Sequence, residues 1–252
     1  MKKRIAVKIG TSTLTGGTKN ISRGKIEDIA RQLVELQEEY EIIIISSGAI
    51  AAAKQFDKLS TPNKLVTSKQ ALSAIGQPKL MQLYNEVFAD FGLKTAQCLM
   101  THYDFEIKSS KENTFKTITD LLKHNYIPII NENDTVAVEE LELGDNDKLS
   151  ALVAVLMNVD QLIIASDIDG IFDANPHLNP DAKLIKEVSN LDSIKQFVQE
   201  VDNGLGTGGM TTKIKAMEIC EGKNIEVYIV NGGVQFFIQK TLLNQIPYTR
   251  FS

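Results

Sequence analysis

The sequence predicts an α/β fold in which a mostly parallel β-sheet lies between helical layers. Short apolar runs alternate with longer stretches of helical periodicity along nearly the whole chain, the pattern of successive βα units. The run Ile42–Ile45 is four isoleucines in a row, and β-branched residues without polar alternation suit a strand covered on both faces. No low-complexity linker, internal repeat or long charge run interrupts the pattern, so a single domain over residues 1–252 is expected, with lobes of about 1–150 and 151–252.

Taken in order, Arg4–Ile9 reads as the first strand. Lys25–Glu39 follows as a helix, because Ile26, Ile29, Ala30, Leu33 and Val34 form one apolar stripe. Ile42–Ile45 is the second strand. Ser68–Phe91 is helical in pattern, and Pro78 is expected to kink or break it. Thr95–Met100 gives a third strand, Lys111–Lys123 a helix and Ile127–Ile130 a fourth strand. Thr135–Leu143 reads as an antiparallel excursion. Asp147–Asn158 is a helix with Leu149, Leu152, Val153 and Leu156 on one face, and Gln161–Ala165 is a fifth strand. A short strand within Lys183–Val188, helices over Asp192–Val201 and Met210–Glu221, and a strand at Glu226–Val230 complete the pattern. The tail from Gln235 to Ser252 carries little periodicity.

Composition narrows the function classes. Of 252 residues 43% are hydrophobic and 23% charged, and Lys+Arg 27 against Asp+Glu 32 gives a net charge of −5. These are ordinary globular values that exclude disorder. The acidic balance argues against a dedicated nucleic-acid binder. The apolar runs are far too short to cross a membrane, and the basic start MKKRIAVKIG is broken by Lys8, so a signal peptide is rejected. Two distant cysteines, Cys98 and Cys220, make no disulfide framework and fit a cytoplasmic protein. The three scattered histidines lack zinc-ligand spacing. Two glycosylation triplets, at Asn20 and Asn133, are chance matches.

Ligands of open parallel sheets bind beyond the carboxyl ends of the strands, and those ends are polar here. Lys8-Ile9-Gly10-Thr11-Ser12 follows the first strand, Ser46-Ser47-Gly48-Ala49 the second, Asn131-Glu132-Asn133-Asp134 the fourth and Ser166-Asp167-Ile168-Asp169-Gly170 the fifth. Glycine lets backbone amides approach an anion, and a helix N-terminus adds free N–H groups. Lys8 stands inside an apolar strand, where a charge is costly without a partner or a bound anion; an edge-strand lysine in water is the bland alternative. Gly204-Leu-Gly-Thr-Gly-Gly-Met-Thr-Thr-Lys213 contains G-x-G-x-x-G spacing, but a polar helical stretch precedes it, not the strand of a dinucleotide site. It is no P-loop either, since Met210 follows Gly209. What remains is a glycine loop opening a helix, with Lys213 in its first turns: a phosphate cradle plus a point charge. Asp145-Asn146-Asp147 opens another helix. One acidic residue there is explained as a cap; three adjacent polar groups suggest that they also position lysines or act near a metal.

In this order, Val7-Lys-Ile-Gly-Thr-Ser-Thr-Leu-Thr-Gly-Gly17, Ser46-Ser-Gly-Ala-Ile-Ala-Ala52, Ile130-Asn-Glu-Asn-Asp134, Gly144-Asp-Asn-Asp147 and Gly204–Lys213 resemble the amino acid kinase family, and within it the glutamate 5-kinases. The resemblance implies a three-layer αβα sandwich and ATP-dependent phosphorylation of the γ-carboxylate of L-glutamate, the first step of proline biosynthesis. By position, Lys8 and Lys213 would contact the transferring phosphoryl group, with Asp147 holding them. Gly10 and Gly48 would offer backbone donors. Ser47, Gly48, Asp134 and Asn146 would bind glutamate with Asn131 and Asp145. Lys8, Gly10, Ser166, Asp167, Thr207, Gly208, Gly209, Met210, Thr211, Thr212 and Lys213 would line the ATP site. Mg²⁺ would be held mainly by the ATP phosphates, with no protein ligand identified. Thr is common in the family where Ser166 stands. Many members carry a further domain resembling an RNA-modifying-enzyme module, and the sequence ends at Ser252 without it. The resemblance also implies feedback inhibition by proline, hand-over to glutamate-5-semialdehyde dehydrogenase and a homo-oligomer of unspecified size.

The residue types suit the reaction. A γ-carboxylate with a pKa of about 4.3 is already ionised at neutral pH and needs no general base. The task is to bring two anions together, which lysines, backbone amides and Mg²⁺ accomplish. The rivals are kinases of the same family acting on N-acetylglutamate, aspartate or carbamate, a nucleotide-binding sensor without turnover, and, on glycine spacing alone, a dinucleotide-dependent oxidoreductase.

Overall fold

A computed structural model describes residues 2–56, 66–136, 146–176, 178–194 and 209–252. The elements run β1 (Lys3–Ile9), α1 (Thr11–Thr15), α2 (Arg23–Leu36), β2 (Tyr40–Ser46), α3 (Ala49–Phe56), α4 (Val66–Asp90), β3 (Lys94–Met100), α5 (Tyr103–Glu106), α6 (Lys108–Lys123) and β4 (Tyr126–Glu132). They continue with α7 (Asp147–Leu156), β5 (Gln161–Ser166), β6 (Ile171–Phe172), β7 (Leu184–Ile185), β8 (Glu187–Val188), α8 (Gly209–Cys220), β9 (Glu226–Asn231), α9 (Phe237–Leu242) and β10 (Tyr248–Phe251).

Eight strands form one sheet in the order β3-β4-β2-β1-β5-β9-β10-β8. The first six in that order are parallel; β10 runs antiparallel to β9 and parallel to β8. β1 is central, with β2 on one side and β5 on the other. The chain therefore builds outward from β1 in both directions, and the crevice at its carboxyl end is the topological switch where such sheets bind ligands.

Strand side chains alternate between faces, and this alternation divides the core in two. Ile5, Val7 and Ile9 of β1, with Ile42 and Ile44 of β2, pack against Ile29 and Leu33 of α2 and Leu80, Tyr84 and Phe88 of α4. Ala6, Ile43, Ile45 and Ile164 pack on the other face against Leu149 and Val153 of α7 and Ile214 and Met217 of α8. The isoleucine run of β2 is covered on both sides for this reason. The expected layering of helices on both faces of a mostly parallel sheet is what the chain adopts.

Several elements differ from the sequence reading. Helix α4 runs through Pro78 without a break. Packing of its flanks against the sheet and α3 outweighs the hydrogen bond that proline removes. The short helices α1 and α3 occupy stretches read as loops. Lys183–Val188 is two strands, β7 pairing with β6 in a separate two-stranded sheet and β8 pairing with β10, because the Lys186 carbonyl accepts from Arg250 N at 2.8 Å between them. Helix α7 stops at Leu156, and Asn158 takes a left-handed φ of 48° soon after. The unpatterned tail holds α9 and β10. Most of Thr135–Leu143 and of Asp192–Val201 lies outside the described residues.

The contact between α3 and α4 fixes how close α4 comes to the strand ends. At Gly76 of α4 a Cβ would lie 1.8 Å from the Ala49 carbonyl oxygen and 2.7 Å from Ala53 N, so only glycine admits this approach. Overpacking of a tight contact costs about 1–3 kcal/mol, and each kcal/mol lowers Tm by about 2–4 °C in a domain of this size. Gly76→Ala should therefore lower the melting temperature by about 5 °C or more in a thermal scan. An unchanged Tm would show that the two helices separate without cost.

Candidate active site

The centre of the site follows from strand parity. Lys8 has the same parity as Ala6, so it points to the α7/α8 face of the central strand. It is 4% exposed, which rules out the solvated edge-strand lysine. At that height α7 begins with Asp147, which is 0% exposed. Lys8 Nζ lies 2.7 Å from Asp147 Oδ1 and Lys213 Nζ lies 3.3 Å from Asp147 Oδ2. Thr212 Oγ1 donates to Asp147 Oδ2 at 3.0 Å, and Lys213 Nζ donates to the Gly209 carbonyl at 2.8 Å. The amino end of α7 favours a negative charge at Asp147. Removing one member of a buried ion pair typically costs about 3–5 kcal/mol, so the three groups stand or fall together. Lys8, Asp147 and Lys213, far apart in sequence, meet at one point.

Beside this centre opens a cavity of about 920 Å³ whose walls include Ser47, Gly48, Asn131, Asp134 and Asn146. Asn146 Nδ2 donates to Asn131 Oδ1 at 2.8 Å and to the Ser46 carbonyl at 3.2 Å. Ser73 of α4 donates to Asp134 Oδ2. Burial pushes the Asp134 carboxyl above its ordinary value, against the opposing pull of the Ser73 hydrogen bond. Gly48 has φ 108°, and a Cβ there would approach Leu14 Cδ1 to 3.0 Å, so the turn after β2 needs glycine. Asn146 occupies the N-cap position of α7 without a side-chain capping bond; its amide is directed to β2 and β4 instead. Asp145 lies outside the described residues.

On the opposite flank, Ser166 and Asp167 stand at the carboxyl end of β5, with Ser166 Oγ donating to Asp167 Oδ1 at 3.1 Å. Gly209, Met210, Thr211, Thr212 and Lys213 form the first turns of α8. Only Thr212 and Lys213 of this stretch are tied to Asp147 by the bonds above. Gly10 sits between the two flanks; a Cβ there would lie 3.6 Å from Lys8 Nζ and 3.7 Å from the Ala165 carbonyl. Gly204, Gly206, Thr207 and Gly208 lie outside the described residues.

Sequence reasoning missed the polar face of α4. Ser73, Gln77 and Tyr84 are buried: Gln77 Oε1 accepts from Asn131 Nδ2 at 2.9 Å, and the Tyr84 hydroxyl meets Ser46 Oγ at 2.9 Å. Their spacing of four and then seven residues places them on one helix face, a signal available in the sequence that was not singled out. Lys54 and Lys69 also line the cavity and were not singled out.

Among the described residues no group of three or more His, Cys, Asp or Glu side chains is arranged to hold a metal. Asp147 directs both oxygens at Lys8, Thr212 and Lys213, so its surroundings fit a residue that holds lysines.

The sequence profile described as "Amino acid kinase family" matches residues 3–231. Glutamate 5-kinase 2 of Pseudoalteromonas translucida is 40% identical over 249 residues, covering 98% of this chain and 68% of the relative. Glutamate 5-kinase of Proteus mirabilis gives the same values. That of Shewanella woodyi is 41% identical over 252 residues, covering 99% and 68%. Among solved structures, UMP kinase from Ureaplasma parvum superposes with a TM-score of 0.69 at 18% identity, covering 100% of this chain and 99% of that one. An isopentenyl phosphate kinase superposes with a TM-score of 0.67 at 18% identity, covering 99% and 100%. The structural likenesses establish the shared fold. With a family match across most of its length and relatives at this identity, the chain belongs to the amino acid kinase family.

Proposed function

We propose that the protein transfers the γ-phosphoryl group of ATP to the γ-carboxylate of L-glutamate, giving L-glutamyl 5-phosphate and ADP. The observation that carries this reading is the buried Lys8–Asp147–Lys213 cluster opening beside a cavity with carboxylate and amide walls. The identity to glutamate 5-kinases supports the choice of substrate.

The γ-carboxylate is ionised at neutral pH and attacks phosphorus directly, while the bond from phosphorus to the β,γ-bridging oxygen breaks. No proton is removed, so Asp147 acts as a holder of lysines and not as a base. Lys8 and Lys213 stabilise negative charge on the phosphoryl oxygens, and each is preorganised by Asp147 before substrate arrives. Mg²⁺ bound with the nucleotide would add screening between the two anions, with Lys8 and Lys213 supplying the protein's share. The residues up to about 150 form the glutamate side and those beyond it the nucleotide side, with Ser166, Asp167 and residues 207–213 toward ATP. On the glutamate side, Asp134 and Asn146 offer acceptors to an α-ammonium, Asn131 holds Asn146 in place, and Ser47 lines the same cavity; Asp145 is assigned to this side by its place in the sequence. The product is a labile acyl phosphate, which suits rapid hand-over to glutamate-5-semialdehyde dehydrogenase, and proline as a feedback inhibitor would overlap the glutamate site.

The direct test is hydroxylamine trapping of an acyl phosphate with ATP, Mg²⁺ and a panel of acidic amino acids. Glutamate should give the hydroxamate; N-acetylglutamate should not, because its acetyl group would leave the Asp134 carboxylate unpaired. Faster turnover of N-acetylglutamate or aspartate would overturn the substrate reading.

Lys213→Ala should lower kcat by about 10²-fold or more, the scale of losing one preorganised electrostatic contact, with a smaller effect on ATP KM. Steady-state kinetics on the folded variant check this, and near-normal kcat would remove Lys213 from the transition state.

Asp134→Asn should raise the glutamate KM about 10- to 150-fold, the value of one charge-assisted hydrogen bond, and leave the ATP KM unchanged. The carboxyl must be ionised to pair with an ammonium, and burial raises its pKa. In the wild type the glutamate KM should therefore begin to climb on acidification at a pH above the ordinary aspartate range. The asparagine variant should lose that limb of the profile.

A further inference from the structure

We propose that α4 is a positioning element for the substrate: Gln77 accepts from Asn131 and so anchors a chain of side-chain amides that turns the Asn146 oxygen toward the cavity, and Ser73 holds the Asp134 carboxylate beside it. The assignment rests on the reading of this cavity as the glutamate site and adds the residues that make it selective for a free α-ammonium.

The direction of the amide chain is fixed by groups that have no choice of role. The backbone N–H of Glu132 can only donate, and it donates to Asn131 Oδ1 at 2.9 Å. Asn131 Nδ2 must therefore face the other way, where it meets Gln77 Oε1 at 2.9 Å. Gln77 Nε2 is then directed away from Asn131, 3.4 Å from Gln97 Oε1 on β3. On the cavity side, Asn146 Nδ2 lies between two acceptors, Asn131 Oδ1 at 2.8 Å and the Ser46 carbonyl at 3.2 Å. Both amide hydrogens of Asn146 are thus used, and Oδ1 is the atom it has left for an occupant of the cavity it lines. An amide oxygen and the Asp134 carboxylate together make a site for a donor, which an α-ammonium is and an N-acyl nitrogen largely is not.

Gln77 is the component of this chain that the fold could replace and the chemistry could not. A leucine there would leave Asn131 Nδ2 without an acceptor in a buried position. Rotating the Asn131 amide would not relieve it, because Nδ2 would then oppose the Glu132 N–H and Asn146 Nδ2, donor against donor. Ser73 is one turn earlier on the same face of α4, is 3% exposed and donates to Asp134 Oδ2. Both side chains reach the strand ends because Gly76, between them, lets α4 settle against the Ala49 carbonyl of α3.

The experiment compares wild type, Gln77→Leu, Gln77→Glu and Ser73→Ala for glutamate KM, ATP KM, N-acetylglutamate turnover and Tm. A buried group left without its partner predicts a rise in glutamate KM of about 10-fold for Gln77→Leu and about 5-fold for Ser73→Ala, with ATP KM within about twofold. The preference for glutamate over N-acetylglutamate should narrow in parallel. Gln77→Glu keeps an acceptor toward Asn131 and should restore most of the loss. A folded Gln77→Leu with wild-type glutamate KM overturns the assignment, and so does an equal rise in both KM values, which would mark a merely structural role. If Gln77→Leu does not fold, Ser73→Ala decides by the same two readings. Absence of glutamate turnover in the wild type itself would overturn the substrate reading, and this assignment with it, and is visible before any variant is compared.

Discussion

One carboxylate shared by two ammonium groups is the interaction on which the rest of the structure depends. Lys8 comes from the central strand, Lys213 from α8, and Asp147 from the first position of α7. Taking three charges out of water costs several kcal/mol per ion even after relaxation, and attraction at an effective dielectric near 20 returns about 4 kcal/mol per contact at 4 Å. The balance among these three side chains leaves one positive charge in excess. Both ammonium groups are held in place by the fold before any anion arrives. The geometry therefore stores at rest what a negatively charged transition state needs, and it requires β1, α7 and α8 to be held rigidly together.

The two-sided core supplies that rigidity. Side chains of one parity on β1 lock α2 and α4 to the sheet, and those of the other lock α7 and α8. Each set continues past the apolar region into a polar residue at the strand end. Lys8 extends the Ala6 row toward Asp147. Ser46 extends the Ile42–Ile44 row toward Tyr84, and Asn131 extends the Ile127–Ile129 row toward Gln77. Position in the alternation thus decides whether a polar side chain serves the cationic centre or the substrate wall. Helix α4 follows the same logic along its length. Its later turns bury Leu80, Val87 and Phe88 over the sheet, and its earlier turns carry Ser73 and Gln77 over the strand ends.

The parts of the molecule that were legible in the sequence are those whose signal is local. A lysine in an apolar strand, glycines before a helix and acidic residues at a helix start each carry a cost that demands a partner, so Lys8, Lys213 and Asp147 could be singled out singly and then prove to share one contact. The isoleucine run announced a strand buried on both faces. What could not be read depends on neighbours distant in the chain. Ser73, Gln77 and Tyr84 look like defects in an apolar stripe until Asp134, Asn131 and Ser46 are placed opposite them. Strand β10 has no pattern of its own and is held from outside: Thr249 Oγ1 accepts from Ile171 N at 2.7 Å and donates to the Ile185 carbonyl at 2.6 Å. Pro78 signals a break by its covalent structure, and only the packing on both sides of it keeps α4 continuous.

These constraints explain why the two halves of the site differ in chemistry. The centre built on β1, α7 and α8 offers positive charge, while the cavity wall offers the Asn146 amide oxygen at the start of α7 and the Asp134 carboxylate after β4. Glutamate carries a single carboxylate at its γ end and an ammonium beside a carboxylate at its α end. Reversing it would set the γ-carboxylate against the Asp134 carboxylate, so the wall favours one direction of entry without a large apolar pocket. The cost is that the wall must keep its polarity fixed, since an amide that turned over would offer a donor where the ammonium has to bind. That polarity originates in a backbone N–H of β4 that can only donate, and it is passed through Asn131 to Asn146 with α4 closing the chain from behind. On the proposed reading, the sheet's own hydrogen-bonding geometry sets the polarity of the wall, and side chains transmit it into the cavity.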